Sequence, residues 1–169
     1  MAGKVVEGLK AKTDAAWANL TRQLQGMEPH LESSDAPGEW TTRQVLCHLL
    51  LPAGWDPVAT FKRFSDGDLQ QVDVEGGQTY VTDERRRMSL KQLVEALDAQ
   101  RQAVYRCLGS LADTDLERRR ARIPLFKQYM GTDEIPLARY IGAMWDFHWN
   151  NHAGQVAKIR KTVGLPEAR

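Results

Sequence analysis

Hydrophobic residues recur along this chain at steps of three and four, a spacing that divides it into four helical stretches. In the first, Val5, Val6, Leu9, Trp17, Leu20, Leu24 and Met27 alternate with polar residues, and Pro29 marks its end. The second opens at Trp40. Thr41 as N-cap and Gln44 three residues on make a capping box, with Trp40 and Val45 as a hydrophobic staple. This helix carries His48, and Pro52 and Pro57 are expected to kink or interrupt it before it continues towards Phe64.

Between Ser65 and Met88 the periodicity fades, and Asp66, Gly67, Gly76 and Gly77 mark a long connection with an extended piece near Thr79 to Val81. A third helix then starts on the same signals, Ser89 with Gln92 as capping box and Met88 with Leu93 as staple. Its apolar stripe is Leu90, Leu93, Val94, Leu97, Val104, Tyr105, Leu108 and Leu111. A second irregular region follows, with a short helical turn from Asp113 to Arg118. The fourth helix is expected to start around Thr132 to Pro136 and to end at Gly164, with Pro166 beyond. Its stripe runs Leu137, Ile141, Met144, Trp145, His148, His152, Val156, Ile159 and Val163. The pattern predicts an all-α protein, a four-helix bundle with long connections after helices two and three, in which helices two and four lie close together.

The 169 residues suit one domain, 1–169, long enough to bury a core without disulfides or a structural metal. A net charge of +1 with interspersed signs argues against nucleic acid or an anionic membrane as partner. The basic runs Arg85 to Arg87 and Glu117 to Arg122 are short, lack interleaved aromatics and adjoin acidic residues, so they read as solvated surface. Cys47 and Cys107 match no paired metal or redox spacing and suit a reducing compartment. The N-terminus lacks the apolar core of a signal peptide, and no apolar run approaches the roughly 20 residues that span a bilayer. A cytoplasmic location is expected.

Composition adds one thing that periodicity does not: three of the four histidines, His48, His148 and His152, fall inside helical stretches on inward faces. His148 and His152 are one turn apart on one face, so both imidazoles can reach a single ion. The plainer reading is that each is a core residue hydrogen-bonded to a carbonyl or carboxylate. Burying an imidazole without a partner costs on the order of 1 to 3 kcal/mol, and a shared metal would satisfy several at once. His48 is the natural third ligand. Three neutral nitrogens on a divalent ion leave a position open for water or substrate, as in catalytic sites. Trp149 directly after His148 excludes the zinc protease pattern, which needs Glu there.

Asn151 and Gln155, three residues from His148 and His152, could each hydrogen-bond an imidazole or a bound water. Trp149, off the centre of the stripe, reads as a pocket or interface residue, and Trp145 as core. No carboxylate is placed well enough to serve as general base. Cys47, beside His48, points about 100° away from it on the helix. The irregular regions Ser65–Met88 and Thr114–Gly131 are expected to shape the pocket mouth.

The blocks WTTRQVLCHLL, Trp40 to Leu50, and DFHWNNHAGQVAKIR, Asp146 to Arg160, resemble the DinB/YfiT-like superfamily of metal-binding four-helix bundles. In that family one helix opening on tryptophan and a Ser or Thr cap delivers a histidine. Another delivers two histidines a turn apart, followed by a small residue, glycine and glutamine, here Ala153, Gly154 and Gln155. The resemblance implies one zinc, nickel or related divalent ion on His48, His148 and His152, and a homodimer. It also implies either thiol-dependent transfer, with a low-molecular-weight thiol such as mycothiol or bacillithiol as co-substrate, or metal-dependent hydrolysis of a small electrophilic molecule. The alternative is a non-catalytic bundle that binds or sequesters a small molecule.

Overall fold

The structure, a computed structural model, describes residues 3–169, so the first two residues of the expected domain lie outside the described residues. Its helices are α1 (Lys4–Leu24), α2 (Thr42–Leu49), α3 (Pro57–Phe61), α4 (Asp83–Arg87), α5 (Leu90–Gly109), α6 (Asp113–Arg118), α7 (Lys127–Met130), α8 (Leu137–Gly142) and α9 (His148–Thr162). A π-helical turn, Ala143–Phe147, joins α8 to α9. The long elements form the four-helix bundle. α1 packs along α9, and α2 lies between α5 and α9. Val6, Leu20, Leu46, Leu97, Leu108, Ile141, Trp145 and Ile159 are buried together where their stripes meet. No helix among the described residues is long and apolar enough to cross a membrane.

The two capping boxes form as the sequence predicts. The Thr41 hydroxyl accepts from the Gln44 amide while the Gln44 side chain accepts from the Thr41 amide, and Ser89 and Gln92 do the same for α5. α1 has no such local cap, since Gly3 stands at its N-cap. The Asp113 carboxylate serves instead, accepting from the amides of Val5 at 3.1 Å and Val6 at 3.2 Å across more than a hundred residues of chain.

The second helix is interrupted before Pro52, as its prolines predict, and resumes as a separate short helix. It stops at Leu49, and Leu51 takes a left-handed conformation, φ 64°, before Pro52, which cannot continue a helix. A separate helix, α3, begins where the Asp56 carboxylate accepts from the amides of Val58 and Ala59. The terminal carbonyls of α2 are met by side chains from elsewhere. Gln100 Nε2 donates to Leu50 O at 2.9 Å and Leu49 O at 3.3 Å, and Gln100 Oε1 accepts from Trp145 Nε1 at 3.0 Å. One α5 side chain therefore ties the end of α2 to the π turn.

Three expectations change. The extended piece near Thr79 to Val81 is not a strand: Tyr80 is left-handed, φ 53°, and the carbonyls there are used by side chains rather than a ladder. The fourth helix begins at Leu137 rather than in Thr132–Pro136, because Glu134–Pro136 forms strand β2, antiparallel to β1 (Arg120–Arg122), with Ala121 opposite Ile135. Three-residue strands are too short to show alternation in the sequence. Finally, Arg85 is not a solvated member of its basic run. Its Nη1 donates to the carbonyls of Leu51 at 2.7 Å and Tyr80 at 3.0 Å.

Candidate metal centre

The capping box of α2 fixes where its second turn faces, and His48 lies there, 7% exposed. α9 brings His152, 8% exposed, and half-buried His148 to the same place. His148 Nε2 stands 2.8 Å from His48 Nε2 and 3.1 Å from His152 Nε2. The ligating atoms of all three lie within 4.8 Å of one another. Among the described residues no Asp, Glu or Cys joins them.

The far sides of the rings decide what the near sides can do. His48 Nδ1 donates to Gln78 O at 2.5 Å, and His152 Nδ1 donates to Gln155 Oε1 at 2.8 Å. A neutral imidazole carries one proton, so a ring that donates through Nδ1 presents a bare lone pair at Nε2. His148 Nε2 lies between these two lone pairs. Acceptor nitrogens facing one another near 3 Å repel unless something positive sits among them. A proton can serve only one pair at a time, whereas a divalent cation serves all three. This donor set fits such an ion, and imidazole suits zinc, nickel and copper.

Protonation does not relieve the crowding. Burial lowers the His148 pKa to about 3, assisted by the neighbouring His152 and His48 rings. Burial also lowers His152, to about 4, with the Gln155 hydrogen bond pulling the other way. His48 is lowered by burial, against the pull of the Gln78 carbonyl. The rings are therefore neutral at pH 7, the form in which imidazole ligates metals.

Two aromatic plates flank the trio. The Trp40 ring lies parallel to His152 at 6.1 Å between centroids and 4.9 Å from His48, and the Tyr80 ring lies parallel to His48 at 6.1 Å. Of the side chains singled out beside the ligands, Gln155 bonds His152 as described. Asn151 is exposed and forms no hydrogen bond to an imidazole. Trp149, against expectation, is neither pocket wall nor interface residue but 1% exposed, packed on Trp17 at 5.7 Å. The π turn explains this. An i to i+5 turn holds one more residue than an α turn, so the following residues rotate by about 100°. Trp149 moves to the centre of the buried stripe, and His148, His152 and Gln155 move to its flank. Cys47 is fully buried beside the site. Sequence reasoning missed Gln78 and Tyr80, both in the aperiodic connection after α3. A backbone carbonyl leaves no residue-type signal.

The sequence profile of the DinB superfamily matches residues 7–156. Among curated proteins, none matches the chain. Among solved structures, the chain is similar to YfiT from Bacillus subtilis, described as a probable metal-dependent hydrolase with an unusual four-helix bundle topology. That likeness has a TM-score of 0.71 at 16% identity, covering 98% of this chain and 92% of YfiT. An uncharacterised protein from Clostridium difficile 630 matches with a TM-score of 0.66 at 14% identity, over 95% of this chain and 98% of that one. A Streptococcus pneumoniae protein matches at 0.63 and 14%, over 96% and 94%. At these identities the likeness is one of fold.

Proposed function

The chain belongs to the DinB superfamily, and from that premise together with its three converging imidazoles we propose that it is a metal-dependent enzyme acting on a small electrophilic molecule. His48, His148 and His152 hold one divalent ion, zinc or nickel, in a single domain of residues 1–169. The observation that carries this reading is the pair of Nδ1 hydrogen bonds, to Gln78 O and Gln155 Oε1, which turn bare Nε2 atoms towards one point. A divalent ion there supplies Lewis acidity, lowering the pKa of a bound water or thiol and stabilising developing negative charge.

The chain's own residues define the rest. Gln155 and the Gln78 carbonyl hold their rings in one tautomer, and Trp40 and Tyr80 limit access of water to the flanks of the trio. No described Asp, Glu or Cys lies within ligating distance of the three histidines. A nucleophile that deprotonates near neutral pH needs least help from a base. A thiol binds a divalent ion as thiolate and a bound water ionises near neutral pH, so both transfer of a low-molecular-weight thiol and hydrolysis fit the site. The metal-dependent hydrolase description of YfiT supports hydrolysis as the variant reaction. The partner in either case is a small molecule, without nucleic acid or membrane, and the enzyme is a cytoplasmic homodimer. The Trp40 and Tyr80 rings beside the trio also suit a second reading, a bundle that binds or sequesters a small molecule without turning it over.

The test is elemental analysis of untagged protein beside His148→Ala, before and after dialysis against chelator, followed by assays with thiols and electrophiles. Near one equivalent of metal in the wild type and none in the variant, with turnover lost on chelation and restored by metal, supports the enzyme. Ligand binding without turnover supports sequestration. No metal taken up by the wild type overturns the proposal.

A further inference from the structure

The segment from Gln78 to Arg85 crosses the end of α2 and touches His48 twice. Its Gln78 carbonyl accepts the His48 Nδ1 proton at 2.5 Å, and its Tyr80 ring lies parallel to the imidazole, 3° from coplanar orientation. Gln78 is exposed, and Tyr80 sits at φ 53°, a left-handed conformation that a tyrosine keeps only when its surroundings impose it. Something must hold this segment on the ring.

Arg85 is placed to do so. Its Nη1 donates to Tyr80 O at 3.0 Å and Leu51 O at 2.7 Å, with Cys47 O at 3.4 Å. Cys47 and Leu51 bracket the last turn of α2, the residues on either side of His48 and its C-cap. One guanidinium nitrogen thus joins the helix that carries the ligand to the segment that orients it. The guanidinium also lies at the negative end of that helix, which favours a cation. Arg85 is itself fixed. Thr82 caps its short helix, accepting from the Arg85 amide at 3.1 Å, and buried Arg43 donates to the carbonyls of Arg85 at 3.0 Å and Met88 at 2.6 Å. No carboxylate pairs with Arg85 among the described residues.

We infer that Arg85 is a positioning residue of the metal centre: by pinning the Tyr80 carbonyl to the end of α2 it keeps the Gln78 carbonyl on His48 Nδ1 and so keeps His48 Nε2 free to ligate. This rests on the proposed metal reading for its purpose, but not for its geometry. All these carbonyls are met by one nitrogen, so a lysine ammonium, on a shorter stem, can replace only part of the clamp.

The experiment uses the full chain labelled with nitrogen-15, metal-free at pH 8, and reads the His48 tautomer from long-range proton–nitrogen correlations of the imidazoles. Zinc and cobalt affinities are measured on the same samples by competition with a chelating indicator. Wild type is expected to show His48 protonated at Nδ1. Arg85→Met, which keeps the stem and removes the donors, is expected to show mixed tautomers at His48 and a zinc affinity lower by about 10- to 100-fold. Arg85→Lys should fall between them. Gln155→Ala should weaken zinc without changing the His48 tautomer, which separates this effect from a general loosening of the site. An unchanged His48 tautomer in Arg85→Met, with zinc affinity within about twofold of wild type, overturns the inference. If Arg85→Met does not fold, Arg85→Lys carries both measurements. If wild type takes up neither metal, the metal reading fails, and the tautomer of the Arg85 variants still decides whether the clamp exists.

Discussion

Taking the metal-free protein from pH 8 to pH 5 should cost it about 4 kcal/mol of stability through His148 and His152 alone. In the folded protein their pKa values are lowered to about 3 and about 4, chiefly by burial. In the unfolded chain both return to about 6.5. Between those values the unfolded chain binds more protons than the folded one. Stability is therefore complete above about pH 6.5 and declines as the pH falls towards the folded values. At pH 5, about 1.5 units below the unfolded pKa and still above both folded values, each ring contributes about 2 kcal/mol of loss at 1.36 kcal/mol per unit. His48 shifts in the same direction and adds to the loss. The assay is urea unfolding in chelator at pH 8, 6.5 and 5, followed by tryptophan fluorescence, for wild type and for a His148→Leu, His152→Leu double variant. Wild type should lose about 4 kcal/mol more than the variant between pH 8 and pH 5. Parallel pH dependences, differing by less than about 1 kcal/mol, would show that the folded protein does not hold these rings neutral and would remove the electrostatic argument for a shared cation.

Other consequences are as direct. His152→Ala should abolish metal uptake yet keep native helical content by circular dichroism, because the buried stripes of α1, α5 and α9 form a core without it. Asp113→Ala removes the acceptor for the Val5 and Val6 amides and should destabilise the protein by about 1 to 2 kcal/mol in urea, the loss typical of a helix cap. Trp149→Ala opens the packing against Trp17 and should cost about 3 to 5 kcal/mol. Asn151→Ala, on the exposed side of the same helix, should change stability by less than about 0.5 kcal/mol and leave zinc affinity unchanged.

Much of the site was legible because its signals are local. Thr41 with Gln44 and Ser89 with Gln92 announce helix starts through groups three residues apart, and both boxes form. His148 and His152 share a face wherever that segment is helical, and His48 sits inward on a helix whose start is marked. Periodicity alone puts Trp149 off the buried stripe, and the structure puts it at the centre. The π turn at Ala143–Phe147 adds a residue to one turn, and a pattern read at 3.6 residues per turn cannot register it. The strands at Arg120–Arg122 and Glu134–Pro136 leave no mark in the hydrophobic pattern because three residues carry no usable alternation.

Local sequence carries the long helices, the capping boxes of α2 and α5, the all-α class and the pairing of His148 with His152, because each depends on residues within a turn or two of one another. Tertiary structure alone decided that three rings from two helices meet at Nε2, since that distance depends on how α2 packs against α9. It also decided which nitrogen each ring presents. That choice is made for His48 by a backbone carbonyl thirty residues away, in a segment tied down at Tyr80 by an arginine that in the sequence is one charge in a basic run. Backbone groups are the same at every position. Which of them becomes the partner of a functional side chain is therefore a property of the folded chain.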